Sequence, residues 1–313
     1  MKPASLLIIL LSCTISLLAQ NKEKVLLLTE RLMDERKYDS CLMVLNKVIK
    51  AETSEALYYS YRGAVQMERK KFKEAHDDFS KAISLDPHNP YYYSSLSLLF
   101  YTTQNPEEAI EQANRALEHV GANDTLKYSI INNRANARNM KRDFQGAYYD
   151  YMEVLTFDST SLLALNNLGT VLDELGRPDE ATAVLEKVVR LYPNFVGGYG
   201  NLAFRYGAKG EYQKALELNN KVLELDPDEA LGWNNRGYVK FRLNDMEGAL
   251  ADINKSIQLY PTNSYAFRNR ALVYLAQKKT KKACEDLQKA IDYGFTEMYG
   301  EEVEELKKKY CGK

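Results

Sequence analysis

The stretch Ala230–Asn263, ALGWNNRGYVKFRLNDMEGALADINKSIQLYPTN, decides the fold. Apolar residues recur every three to four positions on either side of a polar break at Leu243–Asn244–Asp245, which predicts two amphipathic helices joined by a short turn. Gly237 and Ala249, at the eighth and twentieth positions, are small enough to let the two helices approach closely. Pro261, at the thirty-second, cannot continue a helix and helps to end the second one.

The same 34-residue pattern tiles most of the chain. Repeats run over 22–55, 56–89, 90–123, 128–161, 162–195, 196–229, 230–263 and 264–297, with one four-residue insertion at Asp124–Lys127. The twentieth position reads Cys41, Ala75, Ala109, Ala147, Ala181, Ala215, Ala249 and Ala283. The eighth is small throughout apart from the polar Thr29 of the first repeat, with Gly63, Ser97, Ala135, Gly169, Ala203, Gly237 and Ala271 following it. Pro87, Pro193, Pro227 and Pro261 close four repeats. Asn105–Pro106 and Arg177–Pro178, each followed by two acidic residues, read as helix starts, with proline in the first turn and carboxylates at the positive end of the dipole. The insertion is expected to lengthen one helix by a turn, with Asp124 as its cap.

An aromatic residue at the fourth position (Trp233) with Gly, Ala and Pro at these phases resembles the tetratricopeptide repeat. The resemblance implies an all-α, right-handed superhelical solenoid of antiparallel helix pairs. The first helix of each pair would line a concave groove. It also implies a non-catalytic scaffold that holds a polypeptide or partner protein in that groove. After the last repeat, residues 298–313 read as one capping helix. Tyr299, Val303, Leu306 and Tyr310 form its apolar stripe, glutamates stand early, and lysines stand late.

Composition limits the alternatives. The 313 residues carry a formal net charge of −1, and loss of a leader containing Lys2 would make it −2, which argues against a nucleic-acid-coating protein. The 23 tyrosines fall largely at helix-packing phases. Residues 1–19 have the anatomy of a secretory leader: Lys2, the apolar run Leu6–Leu11, and the small Ala19 before Gln20. The run is shorter than the ~20 apolar residues of a spanning helix. Cleavage after Ala19 would release an exported protein, periplasmic or secreted. Alternatively Leu10–Leu11–Ser12–Cys13 resembles a bacterial lipobox, and lipid on Cys13 would anchor a structural or assembly accessory of a cell-envelope complex. Contact with a membrane is expected only in that case.

No catalytic, cofactor or metal site is expected. His76, His88 and His119 stand apart at non-ligand spacings, and there is neither a glycine-rich phosphate loop nor a Gly-x-Ser-x-Gly nucleophile. The informative column is the sixth position, which reads Asn133, Asn167, Asn201, Asn235 and Asn269 in steps of 34. A side-chain amide both donates and accepts, so such a ladder suits the backbone of an extended peptide. The peptide-binding solenoid of the O-linked N-acetylglucosamine transferases has a similar ladder. Two roles are open to the column: ligand contact, or bonding to the neighbouring helix. Asn132, Asn166 and Asn234 stand one residue earlier, and Phe204, Tyr238, Phe241 and Tyr265 fall at groove-facing phases. The carboxylate clamp of the co-chaperone tetratricopeptide domains is not matched, because Arg268 is the one clear cation at its phases. Cys41 belongs to the small-residue column. A disulfide between Cys284 and Cys311 would require the chain end to bend back, since ideal antiparallel register leaves the two Cα atoms beyond the roughly 7 Å that a bridge tolerates.

Overall fold

The computed structural model describes residues 22–121 and 125–312. The leader, Cys13 and Asp124 lie outside the described residues. The helices come in pairs: α1 (22–34) with α2 (Tyr38–Ala51), α3 (Ala56–Glu68) with α4 (Phe72–Leu85), and α5 (Pro90–Thr102) with α6 (Pro106–His119). Next come α7 (Thr125–Met140) with α8 (Phe144–Phe157), α9 (Leu162–Glu174) with α10 (Pro178–Leu191), and α11 (Val196–Ala208) with α12 (Tyr212–Leu225). The last pairs are α13 (Ala230–Arg242) with α14 (Met246–Leu259) and α15 (Ser264–Ala276) with α16 (Thr280–Asp292), followed by α17 (Phe295–Tyr299) and α18 (Glu302–Cys311). The fold is all-α, and the short turns make each pair antiparallel. The chain divides after Phe157 into two compact units, each a stack of such pairs. The insertion therefore lies inside the first unit, where α7 has 16 residues against the 13 of α3 and α5.

The small-residue columns act as the periodicity demands. Cys41 and all seven alanines at the twentieth position are fully buried. A Cβ added to Gly63 would stand 2.7 Å from the Phe79 ring, and one on Gly237 would stand 2.7 Å from Ile253 Cγ1. The eighth position thus meets the twenty-fourth. Thr29 fits the same tight column by donating its hydroxyl to Val25 O at 2.8 Å.

The turn inside each pair has a feature that composition hides. The fifteenth residue of every repeat is left-handed: Arg36, Lys70, Gln104, Arg142, Gly176, Gly210, Asn244 and Lys278 have φ between 55° and 80°. The motif closes the first helix. Lys71 N donates to Gln66 O at 2.8 Å, and Asp245 N donates to Lys240 O at 2.9 Å, a six-to-one pattern that uses up orphan carbonyls. Glycine takes this conformation without the Cβ clash, and only two repeats have it. Lys70→Gly, Gln104→Gly and Lys278→Gly are each expected to stabilise by about 0.5–1 kcal/mol after the glycine entropy term. A melting temperature that falls in all three would contradict this account of the turn.

Four repeats also share a buried charged cluster that the periodicity reading did not find. Arg62, Arg134, Arg236 and Arg270, at the seventh position, make bidentate bonds to Asp78, Asp150, Asp252 and Asp286, at the twenty-third. Each arginine also donates to an asparagine of the preceding pair: Asn46, Asn114, Asn220 or Asn254. The aspartates are buried. The repeats with leucine at the seventh position (Leu28, Leu96, Leu168, Leu202) have Val44, Gln112, Val184 and Leu218 at the twenty-third. The two positions therefore change together within this one chain, as residues in contact must.

The chain end departs from the expected single helix over 298–313. Gly294 (φ 81°) and Gly300 (φ 92°) break it into α17 and α18. The cap begins at Phe295, which stands where other repeats have proline and is buried. Of the expected stripe, Val303 is buried and Leu306 packs beside it, whereas Tyr299 and Tyr310 are exposed. The two glycine bends carry Cys311 back over α16, where it is bridged to Cys284 with Cα atoms 5.8 Å apart. The ideal-register argument overestimated the separation because it assumed an unbroken helix. Cys41 is a free buried thiol, raised above its ordinary pKa by burial.

Candidate functional site

The first helices of the second unit, α9, α11, α13 and α15, carry four members of the asparagine column. Asn201 donates to Asn166 Oδ1 at 2.9 Å, and Asn269 donates to Asn234 Oδ1 at 3.0 Å. Each bond joins the sixth position of one repeat to the fifth of the repeat before it. Asn234 and Asn269 are only 1% exposed. The expected open ladder is corrected at these four sites, because their amides satisfy one another across helices. Asn167 accepts a longer bond from Asn166, 3.3 Å. Asn132 and Asn133 belong to the first unit, on α7, and are half-buried. Asn235 differs from Asn201 and Asn269, because the preceding repeat has Gly200 at its fifth position and offers it no amide. The contrast is testable. Asn269→Ala strands the buried Asn234 Oδ1 and is expected to cost about 1–3 kcal/mol, while Asn235→Ala removes only the longer 3.4 Å bond it accepts from Asn234 Nδ2 and should cost less. Equal losses on chemical denaturation would contradict the distinction.

Asn235 opens onto a cleft of about 690 Å³. The cleft gathers Phe204, Asn234, Asn235, Tyr238, Tyr265 and Asn269 from the expected set. It does not include Asn166, Asn167, Asn201 or Phe241. Phe241 packs instead against the core formed by Ala249, Ile253, Ala266 and Val273, because its phase turns it toward the next pair. Residues the sequence reading missed complete the walls: Tyr212, Asn219, Leu231, Arg242 and Tyr299. Phe204 is 63% exposed at the rim, and Leu231 and Tyr299 are also exposed. A second, open hollow of about 480 Å³ lies between α16 and α18 beside Cys311 and belongs to the packing of the cap.

Rings and guanidinium groups alternate along one wall. Arg242 lies 4.6 Å from the Tyr212 ring centre and 5.8 Å from that of Tyr238, and it donates to the Tyr238 hydroxyl at 3.0 Å. Arg268 lies 5.7 Å from Tyr238 and 5.6 Å from Tyr265. The file therefore runs Tyr212, Arg242, Tyr238, Arg268, Tyr265. Burial raises the Tyr265 phenol above its ordinary pKa, so that ring stays uncharged. The two cations differ. Arg268 is paired with Glu302 of α18 and donates to Asn269 Oδ1 at 2.8 Å. Arg242 has no carboxylate partner among the described residues.

Asn219 is the anomaly on the floor of the cleft. It occupies the twenty-fourth position, where Phe79, Leu185, Ile253 and Leu287 pack in other repeats. Its Nδ2 donates to Ala215 O at 2.8 Å, and its buried Oδ1 accepts from no described donor. This break in an otherwise apolar column was a signal available in the sequence.

Among the described residues no group of three or more His, Cys, Asp or Glu is placed to hold a metal ion. His88 and His119 are not isolated, since their rings meet edge to face at 5.2 Å beside Tyr93. No described helix is long and apolar enough to cross a membrane.

Stacked helix pairs with an aromatic and amide cleft on their first helices define a helical-repeat protein of the kind that makes contacts with other proteins. Comparison agrees: tetratricopeptide repeat profiles match residues 56–89, 161–192 and 201–264, so the chain carries tetratricopeptide repeats. Such repeats generally mediate protein–protein interactions and are typically non-catalytic. The chain is 29% identical over 128 residues to the small glutamine-rich tetratricopeptide repeat-containing protein 2 of Saccharomyces cerevisiae, covering 41% of this chain and 34% of that one. It is 25% identical over 138 residues to the type IV pilus assembly protein PilF of Pseudomonas aeruginosa, covering 44% of this chain and 53% of that protein. A tetratricopeptide repeat protein from Parabacteroides merdae has the same fold, with a TM-score of 0.66 at 20% identity over 81% of this chain and 98% of its own. The chain spans about a third of the length of the first curated relatives it matches.

Proposed function

We propose that this protein is an exported, non-catalytic scaffold that holds a segment of a partner polypeptide in the cleft of its second unit. The observation that carries the reading is the cleft itself, where exposed Phe204 and Leu231 flank Asn235, Tyr238 and Arg242 around space large enough for several side chains. Exposed aromatic and apolar side chains beside unsatisfied polar groups are the surface chemistry of protein recognition sites. Phe204→Ser combined with Tyr238→Ser is expected to lower retention of partner polypeptides from an envelope extract by about tenfold or more, equivalent to at least ~1.4 kcal/mol. Melting should stay within a few degrees, since neither ring is in the buried core. Unchanged retention by the folded double variant would remove the cleft from the function.

Export rests on the leader-like residues 1–19, and the Cys284–Cys311 bridge agrees with an oxidising compartment. Intact-mass measurement of the protein made in its native host tests it. A chain starting at Gln20 supports release, a lipidated Cys13 supports the envelope-anchored accessory, and a retained Met1 contradicts both.

A further inference from the structure

The cleft has a chemical polarity that goes beyond the general reading and rests on it. At one end stands Arg242, held between the Tyr212 and Tyr238 rings and tied to the Tyr238 hydroxyl, with no carboxylate partner among the described residues. On the floor stands Asn219, 1% exposed, whose Oδ1 lacks a donor in a column that other repeats fill with apolar side chains. At the rim, Phe204 and Leu231 offer an exposed apolar platform. The molecule itself shows what the ring-and-guanidinium file accepts, because Arg268, flanked by Tyr238 and Tyr265, is filled by the carboxylate of Glu302.

We propose that the partner segment is acidic and apolar together: it places an Asp or Glu side chain on Arg242, a large apolar side chain on Phe204 and Leu231, and a backbone N–H on Asn219 Oδ1. Each contact answers a group left incomplete in the cleft. A guanidinium restricted by two rings loses little freedom when it takes a carboxylate, and the pairing is charge-assisted. The buried acceptor of Asn219 destabilises the empty repeat and is relieved by a donor. One carboxylate is specified and not two, because Glu302 already neutralises Arg268. This separates the site from a clamp built on paired cations of the first helices. It also makes the cap part of the specificity, since α17 supplies Tyr299 and α18 supplies Glu302 to the same wall.

The test is selection of a random displayed dodecapeptide library on the disulfide-bonded full chain, with elution by groove-dependent competition. Phe204→Ser serves as the counter-selection. Selected peptides are expected to be enriched in Asp or Glu at a fixed short distance from a large apolar residue. A fluorescein-labelled peptide from that set should bind Arg242→Gln roughly ten- to a hundredfold more weakly by anisotropy. The salt dependence seen with the wild type should be lost. Arg242→Lys should keep the salt dependence at reduced affinity. Asn219→Leu should raise the melting temperature while weakening the same peptide, an opposition that a purely structural asparagine would not produce. Groove-dependent peptides without acidic enrichment, or with undiminished binding to Arg242→Gln, would overturn the proposal and leave the scaffold reading standing. If no selected peptide depends on Phe204, both are overturned.

Discussion

Asp252→Val is expected to destabilise the second unit by about 3 kcal/mol, because it removes the buried counter-charge of two half-buried cations at once. Asp252 accepts from Arg236 at 2.7 and 2.9 Å and from Lys240 at 2.8 Å, in a site where the aspartate is only 3% exposed. The guanidinium is further fixed by Asn220 at 3.0 Å and by the Trp233 ring at 4.7 Å, so it cannot swing into water without giving up both. The chain supplies its own control. Repeats five and six have Leu168 with Val184 and Leu202 with Leu218 at the same two positions, and they pack in the same second unit. Arg236→Leu with Asp252→Val is therefore expected to lie within about 1.5 kcal/mol of wild type, since buried ion pairs replaced by well-packed apolar pairs are often neutral. Lys240 can extend toward solvent when its partner is gone. Denaturant unfolding of the two single variants and the double variant closes a mutant cycle. A coupling below about 0.5 kcal/mol would mean that the pair does not act as a unit.

Reduction of the Cys284–Cys311 bridge is expected to destabilise the end of the second unit by about 3.5 kcal/mol on the chain-entropy account of a closed loop of this length. The loop contains α16 from Glu285 onward, both glycine bends and the cap. Loss of the bridge should loosen α18 and free Arg268 from Glu302. Cys284→Ser with Cys311→Ser should reproduce the effect of dithiothreitol, and the reductant should then have no further influence. Cys41 does not complicate the readout, because burial keeps its thiol protonated and out of reach of a labelling reagent. Hydrogen exchange gives a local check: faster exchange confined to 295–311 is expected on reduction. A melting curve indifferent to dithiothreitol would show that Phe295 and Val303 hold the cap without the bridge.

The two experiments bear on the cleft in different ways. The charged cluster around Asp252 holds α13 against α14, behind the wall that carries Asn235 and Tyr238. The bridge holds Tyr299 and Glu302 beside Tyr265 and Arg268, at the far end of that wall. A variant that lost binding through either route would show its origin as lost stability, whereas Arg242→Gln should not.

What the sequence alone determined is what depends on residues close together in the chain or repeated at one period. The helix pairs, the buried small column from Cys41 to Ala283 and the repeat family were legible because a helix brings every third or fourth residue to one face, and 34-residue steps repeat that face. The tertiary structure decided what depends on three helices meeting. It turned Asn201 and Asn269 toward Asn166 and Asn234, and it set Arg236 between Asp252 and Asn220. It packed Phe241, half-buried, against the core while leaving Phe204 at the rim. It used Gly294 and Gly300 to swing Cys311 onto Cys284. In each case one residue type at one period had two satisfactory environments, groove or neighbouring helix. The choice was made by which side chain the adjacent repeat presented: an amide at Asn166 and Asn234, and none at Gly200, so that Asn235 faces the cleft without the bond its counterparts make.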